Sequence, residues 1–367
     1  MSKNNDSIYV LFIFIILVLL YLYQRFQQKI DRDNNVVNYN IIQKYLLSGS
    51  DTSKLTNSSK PILWLYVDYE YNSRKWLSFG SRSSFELNQP YLYLTVKTII
   101  EKCDNSFHIC LIDDKSFMKL LPNWNVNLTS ISHPIKKYMI ELAMTKLLYE
   151  YGGMRVPISF VCMKNLIDIS QNDKPFICEF VNRNISSTYT DFYPCIEFMG
   201  SPKGNPIIKD LINYIEIEIS QDYTDEINFL GSFDTWCKKQ TEKNNINIID
   251  GQLIGTKTTQ NQQILIDNLL SNNYIDLNKN TYGIYIPQKE LMSRNHYNWF
   301  LRMSPKQVLE GNMILSKYIL LSNTIHTGII GSLQFKPDWV SFWKVPSESP
   351  IWGFKPHGLG NYVEKEK

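Results

Sequence analysis

Short apolar runs alternate with longer stretches of helical spacing through the first half of the chain. Ile62–Val67 and Phe107–Ile112 are continuous apolar runs, as expected for strands that are buried on both faces. Residues 88–103 and 134–151 instead place apolar side chains at helical intervals. This alternation predicts an α/β protein with a parallel sheet covered by helices.

The second half has a less regular pattern, although its elements can still be predicted. Glycine and proline separate the apolar runs, and a Ser-Pro step marks one helix start. The expected elements are strands at Val156–Cys162 and Phe176–Val181, a hairpin at Ile246–Thr256, and helices at Pro206–Ile219, Gln263–Leu270 and Gln307–Leu321.

An uncharged apolar run occupies residues 8–24. It approaches the roughly 20 residues that span a bilayer, and tyrosines flank it as at membrane interfaces. No small-residue cleavage site follows, so we predict a transmembrane helix rather than a signal peptide. The protein is expected to be single-pass, with the lipid bilayer as a partner. Arg25, Lys29 and Arg32 favour a cytoplasmic main domain, and a lumenal domain is the alternative.

The same patterns divide the chain into segments. A polar stem separates the apolar run from the first strand, and an aromatic-rich tail closes the chain. The tail is expected to pack on the domain, with a protein-binding surface as the alternative. The segments are a flank at 1–7, the transmembrane helix at 8–24, the stem at 25–60, the α/β domain at 61–300, and the carboxyl-terminal helix and tail at 301–367.

Composition narrows the function classes only slightly. The net charge of +3 does not favour nucleic acid as a partner. The six cysteines form no CxxC pair and no Cys/His metal pattern, so buried thiols in a reducing compartment are expected.

Residues 148–153 read Leu-Tyr-Glu-Tyr-Gly-Gly and are followed by an apolar strand. With Pro61-Ile-Leu-Trp64 and Leu111-Ile-Asp-Asp114, this stretch resembles the sugar-binding core of the DXD-motif glycosyltransferases. The similar families are the capsular polysaccharide synthesis and the mannosyltransferase-like families, and the resemblance covers residues 61 to about 215. It implies a GT-A fold, a Rossmann-like sheet that holds a nucleotide sugar at the carboxyl ends of its strands.

The chain departs from these families at the metal-binding Asp-x-Asp motif. By register after Gly152-Gly153, the two aspartates correspond to Pro157 and Ser159, which do not replace carboxylate ligands. The family's helix aspartate corresponds to Glu141, and its arginine corresponds to Met144. No metal ligand is therefore assigned, and Mn²⁺ or Mg²⁺ would require relocated ligands.

The remaining candidates for donor binding come from the resemblance and from position. Carboxylates that follow the first two strands are placed where ligands bind in open α/β sheets. Arginines nearby are candidate phosphate partners. The donor-binding candidates are Asp68, Glu70, Arg74, Arg82, Asp113, Asp114, Glu141, Gly152, Gly153 and Arg155, and no catalytic residue is assigned.

Three functions are open from the sequence. The first is a membrane-anchored glycosyltransferase that binds a nucleotide sugar, with metal-dependent transfer impaired or absent. The second is a non-catalytic structural or interaction protein of a membrane, for example in a large DNA virus particle. The third is an unrelated α/β binding module, if the Tyr-Gly-Gly match is accidental.

Overall fold

The computed structural model describes residues 16–23, 25, 60–67, 89–131, 135–171, 173–183, 190–221 and 232–324. The strands are β1 (Ile62–Tyr66), β2 (His108–Ile112), β3 (Gly153–Arg155), β4 (Phe160–Cys162), β5 (Phe176–Arg183), β6 (Thr190–Ser201), β7 (Asn247–Ile249) and β8 (Gly283–Tyr285). The helices are α1 (Tyr91–Cys103), α2 (Phe117–Leu120), α3 (Ile135–Tyr151), α4 (Ile167–Ser170), α5 (Pro206–Gln221), α6 (Ser232–Glu242), α7 (Ile266–Leu270), α8 (Gln288–Ser293), α9 (Asn298–Leu301), α10 (Pro305–Glu310) and α11 (Ile314–Thr324).

Six of these strands form one sheet in the order β2-β1-β3-β6-β5-β7. The neighbours β2, β1 and β3 are parallel, as the strand–helix alternation predicts. Strand β6 runs antiparallel to both β3 and β5, whereas β7 is parallel to β5. The predicted α/β class is confirmed, and the sheet is mixed rather than wholly parallel.

Both faces of the central strands are covered. Ile62, Trp64 and Cys110 belong to one core cluster with apolar side chains of α3 and α5. The alternate residues Leu63 and Leu111 face the other way and are also fully buried. Burial on both faces explains why these strands are continuous apolar runs.

The strand predicted at Val156–Cys162 is confirmed only over its last three residues, which form β4, whereas β3 ends at Arg155 before the predicted range begins. The Val156 N–H still donates to the Trp64 carbonyl at 3.1 Å, but Pro157 has no N–H with which to continue the ladder. The chain turns at Pro157–Ser159, and β4 then pairs with β8 in a separate two-stranded sheet. The residues that correspond to the Asp-x-Asp motif therefore lie in a turn.

Two further sequence predictions are corrected. No hairpin forms at Ile246–Thr256, because β7 pairs in parallel with β5 and Asp250 accepts the Gln252 N–H at 2.7 Å to close a local turn. The helix predicted at Gln307–Leu321 is interrupted at Gly311 and becomes α10 and α11. Its Ser-Pro start is confirmed, because Ser304 and Gln307 form a capping box.

The prediction of a transmembrane helix at residues 8–24 is contradicted. Across the part of the chain that the structure describes, no helix is both long and apolar enough to cross a bilayer. The predicted single-pass localisation is contradicted by the same finding, and residues 8–15 of the predicted segment lie outside the described residues. Residues 26–59 of the stem and 325–367 of the tail lie outside the described residues.

Candidate functional site

The carboxyl ends of β2, β1 and β3 meet at one edge of the large sheet. Asp113 and Asp114 follow β2, and Pro157 follows β3 by two residues. On the antiparallel β6, Met199 pairs with Arg155, so Glu197 lies further toward this same edge. Open α/β sheets bind ligands at such an edge.

Asp113 and Asp114 both bond within the protein. Asp114 accepts a hydrogen bond from the Tyr66 hydroxyl at 2.6 Å and pairs with the buried Lys136 ammonium at 2.9 Å. Asp113 accepts the Ser116 N–H at 2.9 Å and its hydroxyl at 2.6 Å, closing the turn before α2. These contacts give both carboxylates a structural role at the edge.

The Gly-Gly pair lies at the amino end of β3, away from the carboxyl edge. Gly152 and Gly153 have φ angles of +73° and +97°, which favour glycine. A Cβ atom on Gly153 would stand 2.2 Å from the carbonyl oxygen of Ile62. The Gly152 carbonyl accepts a hydrogen bond from Trp64 Nε1 at 2.9 Å. Gly153 therefore allows β3 to lie close to β1, and Gly152, whose Cβ would stand 2.8 Å from the Lys203 nitrogen, allows the end of α3 to lie close to the segment after β6.

Glu141 and Arg155 form a buried ion pair between α3 and β3. The guanidinium donates to both carboxylate oxygens, with Nη2 at 3.1 Å from Oε1, and the side chains are 6% and 8% exposed. Burial lowers the pKa of Arg155, but the charge and hydrogen bonds of Glu141 raise it by more. The pKa is therefore raised overall, and the guanidinium stays charged. The structure thus brings two donor-binding candidates together, each serving as the partner of the other.

Three more charged groups surround this pair. Glu197 of β6 pairs with Lys289 of α8, whose side chain is 57% exposed. Asp234 in the first turn of α6 accepts the Ile196 N–H at 3.1 Å. Glu141, Glu197 and Lys289 all act electrostatically on Asp234. We call Glu141, Arg155, Glu197, Asp234 and Lys289 the edge cluster; it contains three carboxylates and two cations.

The edge cluster shifts the protonation of its own carboxyl groups. Burial, together with the charges of Glu197 and Glu141, raises the pKa of Asp234 to about 7, while Lys289 and the Ile196 N–H oppose the shift. Burial also raises the pKa of Glu197, but Lys289 and Arg155 outweigh it and lower that pKa overall. Near neutral pH the Asp234 carboxyl group is therefore partly protonated, whereas Glu197 is ionised.

The described residues do not provide the ligands that would hold the divalent metal of the families that the chain resembles. Pro157 has no ligand atom in its side chain, and Ser159 is 1% exposed in the turn behind it. Glu141 is already occupied by Arg155. Among the described residues, no group of three or more His, Cys, Asp or Glu side chains is placed to hold a metal ion.

Sequence reasoning missed three members of the edge cluster. Glu197 had a usable signal, since it is a charge within the apolar run Cys195-Ile-Glu-Phe-Met199. Asp234 and Lys289 had none, because their proximity depends on how α6 and α8 pack. Four of the predicted site residues lie outside the described residues, namely Asp68, Glu70, Arg74 and Arg82.

Comparisons with known proteins give little further identification. No protein-family model matches the chain. No curated protein matches it either. Among solved structures, the chain is similar to one named "PaToxG Glycosyltransferase", with 13% identity over 59% of this chain and 80% of that chain and a TM-score of 0.28. The likeness is to a glycosyltransferase in general terms, and at this TM-score it carries no further argument.

Proposed function

We propose that the chain is a glycosyltransferase-like protein that binds a nucleotide sugar at the edge cluster without a divalent metal, and that it lacks metal-dependent sugar transfer. The observation that carries the proposal is the Glu141–Arg155 pair beside Pro157 and Ser159. The acid that corresponds to the family's helix aspartate is neutralised inside the protein. Both positions that correspond to the motif's aspartates lack a carboxylate.

The remaining members of the cluster favour a sugar ligand. Carboxylates accept hydrogen bonds from sugar hydroxyls, and Glu197 and Asp234 lie at the edge where such a ligand would bind. Lys289 is a flexible and largely exposed cation that suits a phosphate. Arg155 also acts on Glu197, so Glu197 would keep a cationic neighbour if a phosphate displaced Lys289.

Thermal shift of the full chain tests this proposal. UDP-, GDP- and CMP-sugars would each be added in Mn²⁺ and in EDTA, and we expect one donor to raise the Tm equally in both. Stabilisation that requires Mn²⁺ would contradict a metal-free site. No shift with any donor, from a folded sample, would contradict nucleotide-sugar binding.

Two lysine variants test whether the donor that raises the Tm binds at Lys289. Lys289→Met should reduce the donor-dependent shift, whereas Lys243→Met changes an exposed lysine beyond the end of α6 and should not. Equal shifts in both variants would exclude Lys289 from the site. A transfer assay with the stabilising donor should give no product above a no-enzyme control, in Mn²⁺ or in EDTA.

A second candidate function is a non-catalytic interaction protein that has kept the fold. The observation that favours it is that Glu141, Arg155, Glu197 and Lys289 already pair with one another, which leaves less charge for a ligand. Failure of every donor to shift the Tm would favour this candidate.

A further inference from the structure

Two thiols lie together directly after the turn at Pro157–Ser159. Cys103 is the last residue of α1, and Cys162 is the last residue of β4. Their sulfur atoms are 4.0 Å apart, and both side chains are fully buried. The pair therefore lies between α1 and β4, the strand that follows this turn.

The two thiols differ in acidity. The side-chain contact with Cys162 lowers the pKa of Cys103, burial opposes this, and a backbone hydrogen bond at Leu166 adds to the lowering. The Cys162 thiol also donates to the Lys164 carbonyl at 3.1 Å. Burial raises the pKa of Cys162 well above its ordinary value, as do its contacts with Cys103. Since the thiolate is the reactive form, Cys103 is suited to attack an oxidant and Cys162 to resolve the product.

We propose that Cys103 and Cys162 are an oxidisable thiol pair that a peroxide converts to a disulfide, fastening α1 to β4. In the first step the Cys103 thiolate attacks one peroxide oxygen, the O–O bond breaks, and the sulfur becomes a sulfenic acid while the other oxygen leaves as hydroxide. In the second step the Cys162 thiol displaces the sulfenic hydroxyl group, which leaves as water after taking the thiol proton. The two sulfurs lose two electrons in total, and the peroxide gains them.

The surroundings favour closure of this link. The Cys162 N–H donates to Thr98 Oγ1 at 2.9 Å, so α1 and β4 are already held together next to the thiols. The sulfurs are 4.0 Å apart and must approach by about 2 Å to reach covalent distance. Cys103 ends its helix, and the exposed Asp104 follows, so opening of the last helical turn gives a small peroxide access.

A second pair of cysteines provides an internal comparison. Cys178 and Cys195 are opposite each other across β5 and β6. Burial raises the pKa of both thiols, so neither has the activation that Cys103 has. We expect this pair to remain reduced under conditions that oxidise the first.

Peptide mapping of the full-length protein tests the proposal. The folded chain would be treated with hydrogen peroxide, alkylated, digested without reduction and analysed by mass spectrometry. We expect a Cys103–Cys162 cross-linked peptide that dithiothreitol removes, that persists in Cys178→Ala, and that Cys103→Ala abolishes. Absence of that peptide from the oxidised wild-type chain would overturn the proposal, as would an equal yield of a Cys178–Cys195 link.

Hydrogen exchange provides a second measurement on the wild-type chain, which does not depend on a variant that folds. Oxidation should slow amide exchange in residues 158–164 by roughly tenfold, because the link restrains β4 against α1. Unchanged exchange in a sample that carries the cross-link would show that the disulfide does not fasten this segment.

Discussion

Arg155 Nη2 lies 3.1 Å from Glu141 Oε1 in a place where both side chains are less than a tenth exposed. Breaking a buried pair by removing one partner leaves a charge without compensation. We therefore expect Glu141→Gln to lower the free energy of unfolding by about 3 kcal/mol. Denaturant titration measures this.

A surface pair provides the control for this prediction. Lys146 and Glu216 are 2.7 Å apart but are 32% and 46% exposed, so Glu216→Gln should cost less than about 1 kcal/mol. The double variant Glu141→Leu/Arg155→Met should recover much of the loss, because it leaves no unpaired charge. Equal effects of Glu141→Gln and Glu216→Gln would contradict the structural role of the buried pair.

Gly153→Ala is expected to destabilise the chain strongly. The new Cβ would meet the Ile62 carbonyl oxygen at 2.2 Å, and the φ of +97° is unfavourable for alanine. A loss on the order of 3 kcal/mol should appear in thermal or denaturant unfolding. Gly204→Ala separates the two causes, because its φ is +69° but nothing lies within 4 Å of its Cβ position. It should cost only about 1 kcal/mol, and similar losses in both variants would rule out the steric contact as the cause.

Asp234 should make stability depend on pH near neutrality. Its folded-state pKa of about 7 lies above the ordinary value of 3.8, so the folded chain holds this proton more tightly than the unfolded chain. That contribution is complete at low pH and is lost as the pH rises through about 7.

The variant Asp234→Asn isolates this effect because it keeps an acceptor for the Ile196 N–H. Between pH 5 and pH 8 the wild type should lose on the order of 1 kcal/mol relative to Asp234→Asn, measured by denaturant unfolding at each pH. Asp210→Asn changes an exposed carboxylate on α5 and should run parallel to the wild type. A constant difference between wild type and Asp234→Asn would be inconsistent with the raised pKa.

Asp114 should contribute to stability through two separable contacts. Tyr66→Phe removes the 2.6 Å hydrogen bond to Asp114 and should cost about 1 kcal/mol. Asp114→Asn keeps an acceptor for the Tyr66 hydroxyl but removes the charge opposite the buried Lys136, and it should cost about 3 kcal/mol. Calorimetric unfolding would rank the two. A larger loss for Tyr66→Phe would reverse the assigned importance of the ion pair.

The sequence predicts the central strands well because their burial on both faces appears directly as continuous apolar runs. Ile62–Tyr66 and His108–Ile112 lie within their predicted ranges. The antiparallel placement of β6 could not be predicted, since pairing with β3 depends on contacts far apart in sequence. The end of the ladder after Arg155 was predictable from Pro157, because proline has no N–H with which to continue it. The sequence prediction used Pro157 only as a position without a carboxylate ligand.

The candidate site was predicted only in part for a similar reason. Glu141 was named from the resemblance and Arg155 from its position two residues before Pro157, but their mutual pairing depends on how α3 packs on β3. Lys289 is 134 residues from Arg155 in the sequence, and its place at the edge follows from the packing of α8.

The close approach of Gly153 to Ile62 changes what the Tyr-Gly-Gly signature can be used for. Its two glycines are explained by the junction between a helix and a neighbouring strand, at the end of β3 opposite the charged groups. A chain that lost sugar transfer would still need them in order to fold. The signature is therefore explained by architecture, and its presence alone does not indicate that a chain transfers sugars.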